Sequence, residues 1–191
     1  MSTRLTRCHW CSSDPLYQDY HDHEWGIVSH DRRYVFEMLC LEGQQAGLSW
    51  MTVLRKRAHY RAMFANFDVQ SVSEISEEQL DQLSTDAGLI RHRAKLAAIR
   101  DNARAWLALE AAGIDVVAWL WSFVDGKTCV NRYTHLGDYP TQTAQSLAMS
   151  KALKKQGFRF VGATTCYALM QSIGMVDDHQ IGCFCTARSL A

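Results

Sequence analysis

Proline is scarce in this chain. Pro15 and Pro140 are the only two in 191 residues, so positions 16 to 139 carry none. Helix interiors reject proline, and a long span rich in Ala, Leu, Met, Arg and Gln favours helix. Strict apolar–polar alternation, the mark of a half-buried strand, is hard to find over any useful length. There is no repeat, no low-complexity tract and no Pro/Gly/Ser linker, which argues against an array or a string of domains. No apolar run approaches the roughly 20 residues that cross a bilayer. The opening residues, MSTRLTRCHWCSSD, lack the apolar stretch of a signal peptide. The expectation is one all-α domain over 1–191, cytoplasmic, with no membrane contact and monomeric.

Net charge is also missing: 20 basic residues balance 20 acidic ones. Nucleic-acid binders are often basic overall, but here the distribution says more than the sum. From Asn66 to Ile90 stand six acids (Asp68, Glu74, Glu77, Glu78, Asp81, Asp86) and no Lys or Arg. Basic residues gather instead at Arg55, Lys56, Arg57 and Arg61, at Arg91, Arg93 and Lys95, and at Lys151, Lys154, Lys155 and Arg159. A neutral protein so segregated can still present a basic face. Its 48% hydrophobic and 21% charged residues exclude disorder and fibre.

The pattern predicts helices over about 32–42, 49–64, 76–87, 91–111, 115–123, 143–156 and 163–173, with ends uncertain by roughly 2–4 residues. Gly113, Gly157 and Gly174 fall just past three of these, where a helix ends on a left-handed residue. Ser49 is placed to cap the helix that follows it.

Seven cysteines cannot all pair within one chain, and in a reducing compartment thiols are free or on metal. The N-terminal segment offers Cys8, Cys11, His21 and His23, and the C-terminal segment His179, Cys183 and Cys185. Zinc takes four N/S ligands in a closed structural site, and each end can supply two. Spacing leaves the set open, since Cys8, Cys11, Cys183 and Cys185 would also serve. Joining the ends would clamp segments that normally fray. Catalytic zinc patterns fail: His23-Glu24 lacks the later His of HExxH, and Cys8-x-x-Cys11 lies upstream of the His cluster, unlike a zinc deaminase.

In Tyr34–Glu42, helical spacing places Val35, Met38, Leu39 and Glu42 on one stripe. A carboxylate there must be neutralised, paired with a buried Arg, used as a cap, or aimed at a ligand. The Gly43–Trp50 stretch that follows carries Gly43 and Gly47, a sign of interruption and close backbone approach. Trp10, Tyr17, Tyr20 and Trp25 lie nearby in sequence. Aromatic faces plus one anion suit a cationic planar ligand.

The run Leu80–Leu96 reads as helix, tight turn and helix. The second helix opens with Arg91, His92, Arg93 and Lys95, charges that oppose its dipole unless an anion such as phosphate sits there. The spacing predicts a helix–hairpin–helix over about 80–106, with Gly88 in the turn.

Several segments together carry a resemblance. They are Cys8-x-Trp10, Asp14-Pro-Leu-Tyr17, Tyr20-His-Asp-x-Glu-Trp-Gly26 and Phe36-Glu-Met-x-Cys-Leu-Glu42-Gly-Gln-Gln-Ala-Gly-Leu-Ser-Trp50. Further on come Asp86-Ala-Gly-x-Ile-Arg-His-Arg93, Trp121-Ser-Phe, Ser150-Lys-Ala-Leu-Lys-Lys155, Gly157-Phe-x-Phe-Val-Gly162 and Asp178-His-x-x-Gly-Cys183. Over nearly its whole length the chain resembles the 3-methyladenine DNA glycosylase I family of bacterial base-excision repair.

The resemblance implies a helix–hairpin–helix glycosylase fold whose ends are fastened by one structural zinc ion on Cys8, His21, His179 and Cys183 (zinc-binding segments about 8–21 and 179–183). Cys11 and Cys185 are then ordinary thiols. It implies a base pocket of Glu42, Tyr20 and Trp50, with Trp10, Tyr17 and Trp25 close by. Gly47 and Leu48 stand where the family fills the gap left by a flipped base, and Arg91, Arg93 and Lys95 face the DNA backbone. The partner is double-stranded alkylated DNA and the product free 3-methyladenine. One departure is clear: the hairpin carries one glycine where the wider superfamily has two, and no Asp follows it at the place of that superfamily's catalytic carboxylate.

Methylation at N3 makes adenine a cation and a good leaving group, so extruding and orienting the base is much of the task. On this reading Trp50 and Tyr20 stack on the base while Glu42 accepts hydrogen bonds from its edge. A non-catalytic damage-recognition module, or a zinc-stabilised protein scaffold, would carry some of the same features. Release of a free purine separates the three.

Overall fold

Most of the longer helices start on a side-chain cap that is visible in the sequence. In the computed structural model, which describes residues 5–186, the chain forms α1 (Pro15–His23), α2 (Arg32–Gln45), α3 (Trp50–Leu54), α4 (Arg57–Met63) and α5 (Val69–Ser73). It continues with α6 (Glu77–Thr85), α7 (Arg93–Ala111), α8 (Val116–Trp121), α9 (Ala144–Lys155) and α10 (Ala163–Ser172). Asp14, Asp31, Ser49, Asp68, Ser76, Asp115 and Thr143 each accept a backbone N–H of the helix they precede, which satisfies donors the helix itself leaves open. Ser49 thus caps α3 as expected. The glycines after α7, α9 and α10 have φ of +81°, +87° and +76°, the left-handed stop predicted for them.

The all-α expectation needs one amendment. Cys129–Val130 (β1) and Val176–Asp177 (β2) pair in parallel as a two-residue bridge, which brings the C-terminal segment against the middle of the chain. Two helices escaped the sequence reading, α1 and α5, and the helix expected over 49–64 is broken after Leu54. The break turns Arg57, at the start of α4, into the interior, where it is 5% exposed.

α2 is the hub. Its residues Val35 to Gln44 are all buried, with α7, α10 and α3 packed around it. α7 carries α5 and α6 on its other side, and α9 pairs with α10. Trp106, Phe36, Phe64 and Phe67 fill the interior between these layers. No single helix among the described residues is long and apolar enough to cross a membrane. The first four and last five positions of the expected 1–191 domain lie outside the described residues.

Candidate functional site

Glu42 stands on the last full turn of α2, 4% exposed, and its Oε2 has no hydrogen-bond partner. Of the fates open to a carboxylate on an apolar stripe, capping and close pairing with an arginine are therefore both excluded. Burial pushes its carboxyl up to about 8, with the Arg57 charge pulling part of the way back. It faces a cavity of about 310 Å³ whose wall includes Trp10, Tyr17, Tyr20, Trp25 and Trp50. All six side chains expected at the base pocket thus meet in one place, brought there by the N-terminal segment, α1, α2 and α3.

The rings have a definite order. Trp10 meets Tyr17 at 5.0 Å and Trp25 edge-on at 4.8 Å, while Tyr20 meets Trp50 at 5.3 Å with planes 46° apart. Tyr20 and Trp50 touch each other, so they are adjoining walls and not two plates with a base between them. Indole Nε1 of Trp10 and of Trp50 are buried without partners, two open donors beside one cavity.

Sequence reasoning missed the far wall. Leu136, Tyr139, Pro140 and Thr141 close the cavity from the segment before α9, and Gln45, Ala168 and Gln171 from α2 and α10. Only Pro140, which ends the proline-free span, offered any signal. Behind Glu42, Arg57 Nε donates to Glu37 at 2.6 Å and Nη1 to Glu24 at 2.7 Å. Arg61 also donates to Glu37, at 2.8 Å. Arg57 had been counted with a surface basic cluster, and its inward turn is the break after α3.

The two chain ends meet beside the aromatic wall. His21, His179, Cys183 and Cys185 bring one ligand atom each to within 4.8 Å of one another. Asp22 takes His21 Nδ1 at 2.8 Å and Asp177 takes His179 Nδ1 at 2.7 Å. Each imidazole so held offers its Nε2 lone pair inward. His179 Nε2 is buried with no partner, and His21 Nε2 lies 3.5 Å from Cys183 Sγ. Hydrogen bonds from Cys185 and Cys8 hold the Cys183 thiol well below its ordinary range, and its contact with Cys183 pushes Cys8 up. Two imidazoles with carboxylate-fixed tautomers beside cysteine sulfurs fit a zinc-type ion. Cys8 is buried at the edge of this cluster, its Sγ accepting the Gln180 N–H at 3.5 Å. Cys185, expected to be an ordinary thiol, is instead inside the cluster. Cys11 faces the carbonyls of Ser12 and Tyr17.

The basic hairpin is only partly as expected. α6, the turn 86–92 and α7 form a helical pair, but α7 starts at Arg93 with His92 as its cap. Arg93 is held by Asp81 at 2.6 Å and Glu77 at 2.7 Å. Lys95 is 6% exposed, and its Nζ donates to the carbonyls of Gln44 and Ala46 at the end of α2. Neither cation is free for phosphate: one is neutralised by α6, the other has turned inward as a strut. Gly88 serves close packing, since a Cβ there would lie 2.3 Å from the His59 ring. Arg91 alone of the three expected cations is exposed and without an ion pair among the described residues.

A second helical hairpin, α9–α10, shares this face. His92 meets Phe160 at 6.2 Å, and Asn102 fixes the hairpin through Arg159 N at 2.7 Å. A cavity of about 230 Å³ runs from Glu42 and Gln45 past Ala46, Gly47 and Leu48 to Thr164 and Thr165 on the first turn of α10. α10 has no side-chain cap. Gly47 sits at φ +78° and Leu48 is 43% exposed, so the turn projects an apolar side chain outward beside the cavity mouth.

The family model described as methyladenine glycosylase matches residues 10–186. DNA-3-methyladenine glycosylase 1 of Escherichia coli (strain K12) is 54% identical over 181 residues, covering 95% of this chain and 97% of that one. A crystal structure of 3-methyladenine DNA glycosylase I superposes with a TM-score of 0.93 at 53% identity, over 94% of this chain and 99% of the other. A variant of 3-methyladenine DNA glycosylase I in complex with 3-methyladenine superposes with a TM-score of 0.89 at 35% identity, over 93% and 96%.

Proposed function

The chain belongs to the methyladenine glycosylase family, and from that premise we propose that the Glu42 cavity receives an adenine methylated at N3 and swung out of duplex DNA. The reaction is hydrolysis of the N-glycosidic bond that releases 3-methyladenine. The observation that carries the assignment to this cavity is the buried, unpartnered Glu42 oxygen within a wall of Trp10, Tyr17, Tyr20, Trp25 and Trp50.

The chemistry follows from charge. The methylated base is a cation, so cleavage of its bond to the sugar leaves a neutral purine and needs no general acid. Glu42 accepts a hydrogen bond from the base edge, and a bound cation draws its raised pKa down, favouring the carboxylate. The same negative charge, in a site with little water, stabilises the positive charge that passes to the sugar. Trp50 or Tyr20 supplies the stacking face, and the remaining rings complete a slot for a flat cation.

His21, His179 and Cys183, with Cys8 as the fourth ligand implied by the resemblance, would hold a structural zinc ion. Bound there, the ion cross-links the two ends of the chain and takes no part in bond breaking.

For the DNA we propose a face made of Gly47–Leu48, Arg91 and the α9–α10 hairpin with Lys154 and Lys155. Leu48 fills the gap in the base stack, and the uncapped N–H groups of α10 with the neighbouring cations meet phosphate. Gly88, Arg93 and Lys95 shape this face from behind. The deciding experiment incubates the protein with methylated duplex and identifies any purine set free by chromatography. Release of 3-methyladenine that Glu42→Gln abolishes or slows supports the reading; binding to alkylated DNA with no purine released overturns it.

A further inference from the structure

Gln171 lines the cavity beside Glu42, Tyr20 and Trp50. Its backbone is pinned, the carbonyl accepting the Gly26 N–H at 2.9 Å. Its amide is pinned as well. Nε2 donates to Asp178 Oδ2 at 2.7 Å, and the same carboxylate receives the Tyr167 hydroxyl and, on Oδ1, Asn131 Nδ2 at 2.8 Å. Asp178 is fully buried, and three donors converge on it. A carboxylate so surrounded only accepts. Turning the Gln171 amide over would set oxygen against oxygen and lose a charge-assisted bond. Oε1 is therefore the amide's open edge, with no hydrogen-bond partner among the described residues.

Resting on the reading of this cavity as the base site, we propose that Gln171 is a specificity-determining residue that presents a fixed acceptor to the exocyclic amino group of the extruded purine, with Asp178 as the positioning residue that forbids the opposite amide orientation. An adenine amino group has two N–H donors, so it can satisfy Glu42 and Gln171 Oε1 together. A guanine carries an oxygen at that position, which would face an acceptor on the protein and leave both unsatisfied. A site built around a substrate N–H rejects a base lacking it more strongly than an apolar slot does.

The test uses duplex DNA treated with a methylating agent, which contains both 3-methyladenine and 3-methylguanine, and measures the ratio of the two purines released. Gln171→Met keeps length and removes the acceptor. The ratio of 3-methyladenine to 3-methylguanine is expected to fall about tenfold, the effect of one hydrogen bond. Asp178→Asn supplies a donor that lets the amide turn, and the same ratio is expected to fall with Gln171 intact. Should Asp178→Asn fail to fold, the Gln171→Met ratio decides alone, supported by a roughly tenfold weaker Kd for free 3-methyladenine. A folded Gln171→Met protein that releases both purines in the wild-type ratio overturns this inference and leaves the base-excision reading standing. No purine released by the wild-type protein overturns both.

Discussion

Trp25 and His179 meet edge to face with ring centroids 4.8 Å apart. One ring lines the base cavity and the other belongs to the metal-type cluster, and Trp10 makes the same connection to His21 at 5.2 Å. The cluster is thus the back of the aromatic wall. A chelator that strips a bound ion is expected to lower Tm and to weaken binding of free 3-methyladenine together. Metal analysis of the freshly purified chain should find one zinc per molecule; its absence, or base binding indifferent to chelation, would disprove the connection.

Glu42 makes stability depend on pH. Its carboxyl stands near 8 in the folded state against 4.5, so the folded form holds a proton that the unfolded form gives up. The contribution is fully present below pH 4.5 and is lost as pH rises through 8. Glu42→Gln removes the ionisable group. Its Tm should exceed that of the wild type by more at pH 8 than at pH 5, while its rate on methylated DNA falls. A gain in Tm that is flat across this range would show that Glu42 is not buried in the free protein.

Trp50 lines the Glu42 cavity, and in the proposed function it stacks on the base. Stacking is worth roughly 1–3 kcal/mol, so Trp50→Ala should lower 3-methyladenine release by about one to two decades. Single-turnover rates on a defined lesion give the comparison, and a wild-type rate would move the stacking face elsewhere.

Arg57 is a buried cation between two carboxylates, Glu37 and Glu24. Arg57→Met leaves Glu37 to Arg61 alone and Glu24 without its cation, and breaking a buried pair costs about 3–5 kcal/mol. Adding Glu37→Gln should recover part of that loss, because the orphaned charge goes with it. Denaturant titration of the single and double variants reads the effect; simple additivity would mean that Arg61, already paired with Glu37, neutralises it without Arg57.

Lys95 and Arg91 should behave oppositely. Lys95→Met removes two hydrogen bonds to the end of α2 and should lower Tm. Arg91→Glu should leave Tm almost unchanged and weaken binding to any DNA, with a shallower dependence on salt. An unaltered salt slope for Arg91→Glu would exclude that helix start from the phosphate contacts.

The sequence was most legible where a rule is local. Caps, left-handed glycines and the seven expected helices follow from neighbours along the chain, and all are present, although the helix expected over 49–64 is split. Glu42 could be singled out because a carboxylate on an apolar stripe violates the pattern. Trp10, Tyr17, Tyr20 and Trp25 stand out by their closeness in sequence to Glu42, while Trp50 and the choice of ligands in 8–21 and 179–183 come only from the family resemblance. Lys95, Arg93 and Arg57 were misread because a cation's fate is decided by residues far away in sequence: Gln44 and Ala46, Glu77 and Asp81, Glu37 and Glu24. α1 and α5 escaped because a helix of nine or five residues shows too few turns for a period. Tyr139 and Gln171 look like any other tyrosine and glutamine until the chain folds back on itself.

The meeting of residues 8–21 with residues 179–185 has a consequence for synthesis. On the ribosome Trp25 is made 154 positions before His179, the histidine that braces it. A nascent chain can bury α2 and α7 early, but it has no finished place for a damaged base until its last segment has emerged. The proposed activity is therefore expected only once that segment is in place, and a product that stops short of it is expected to be inactive even with most of its helices formed.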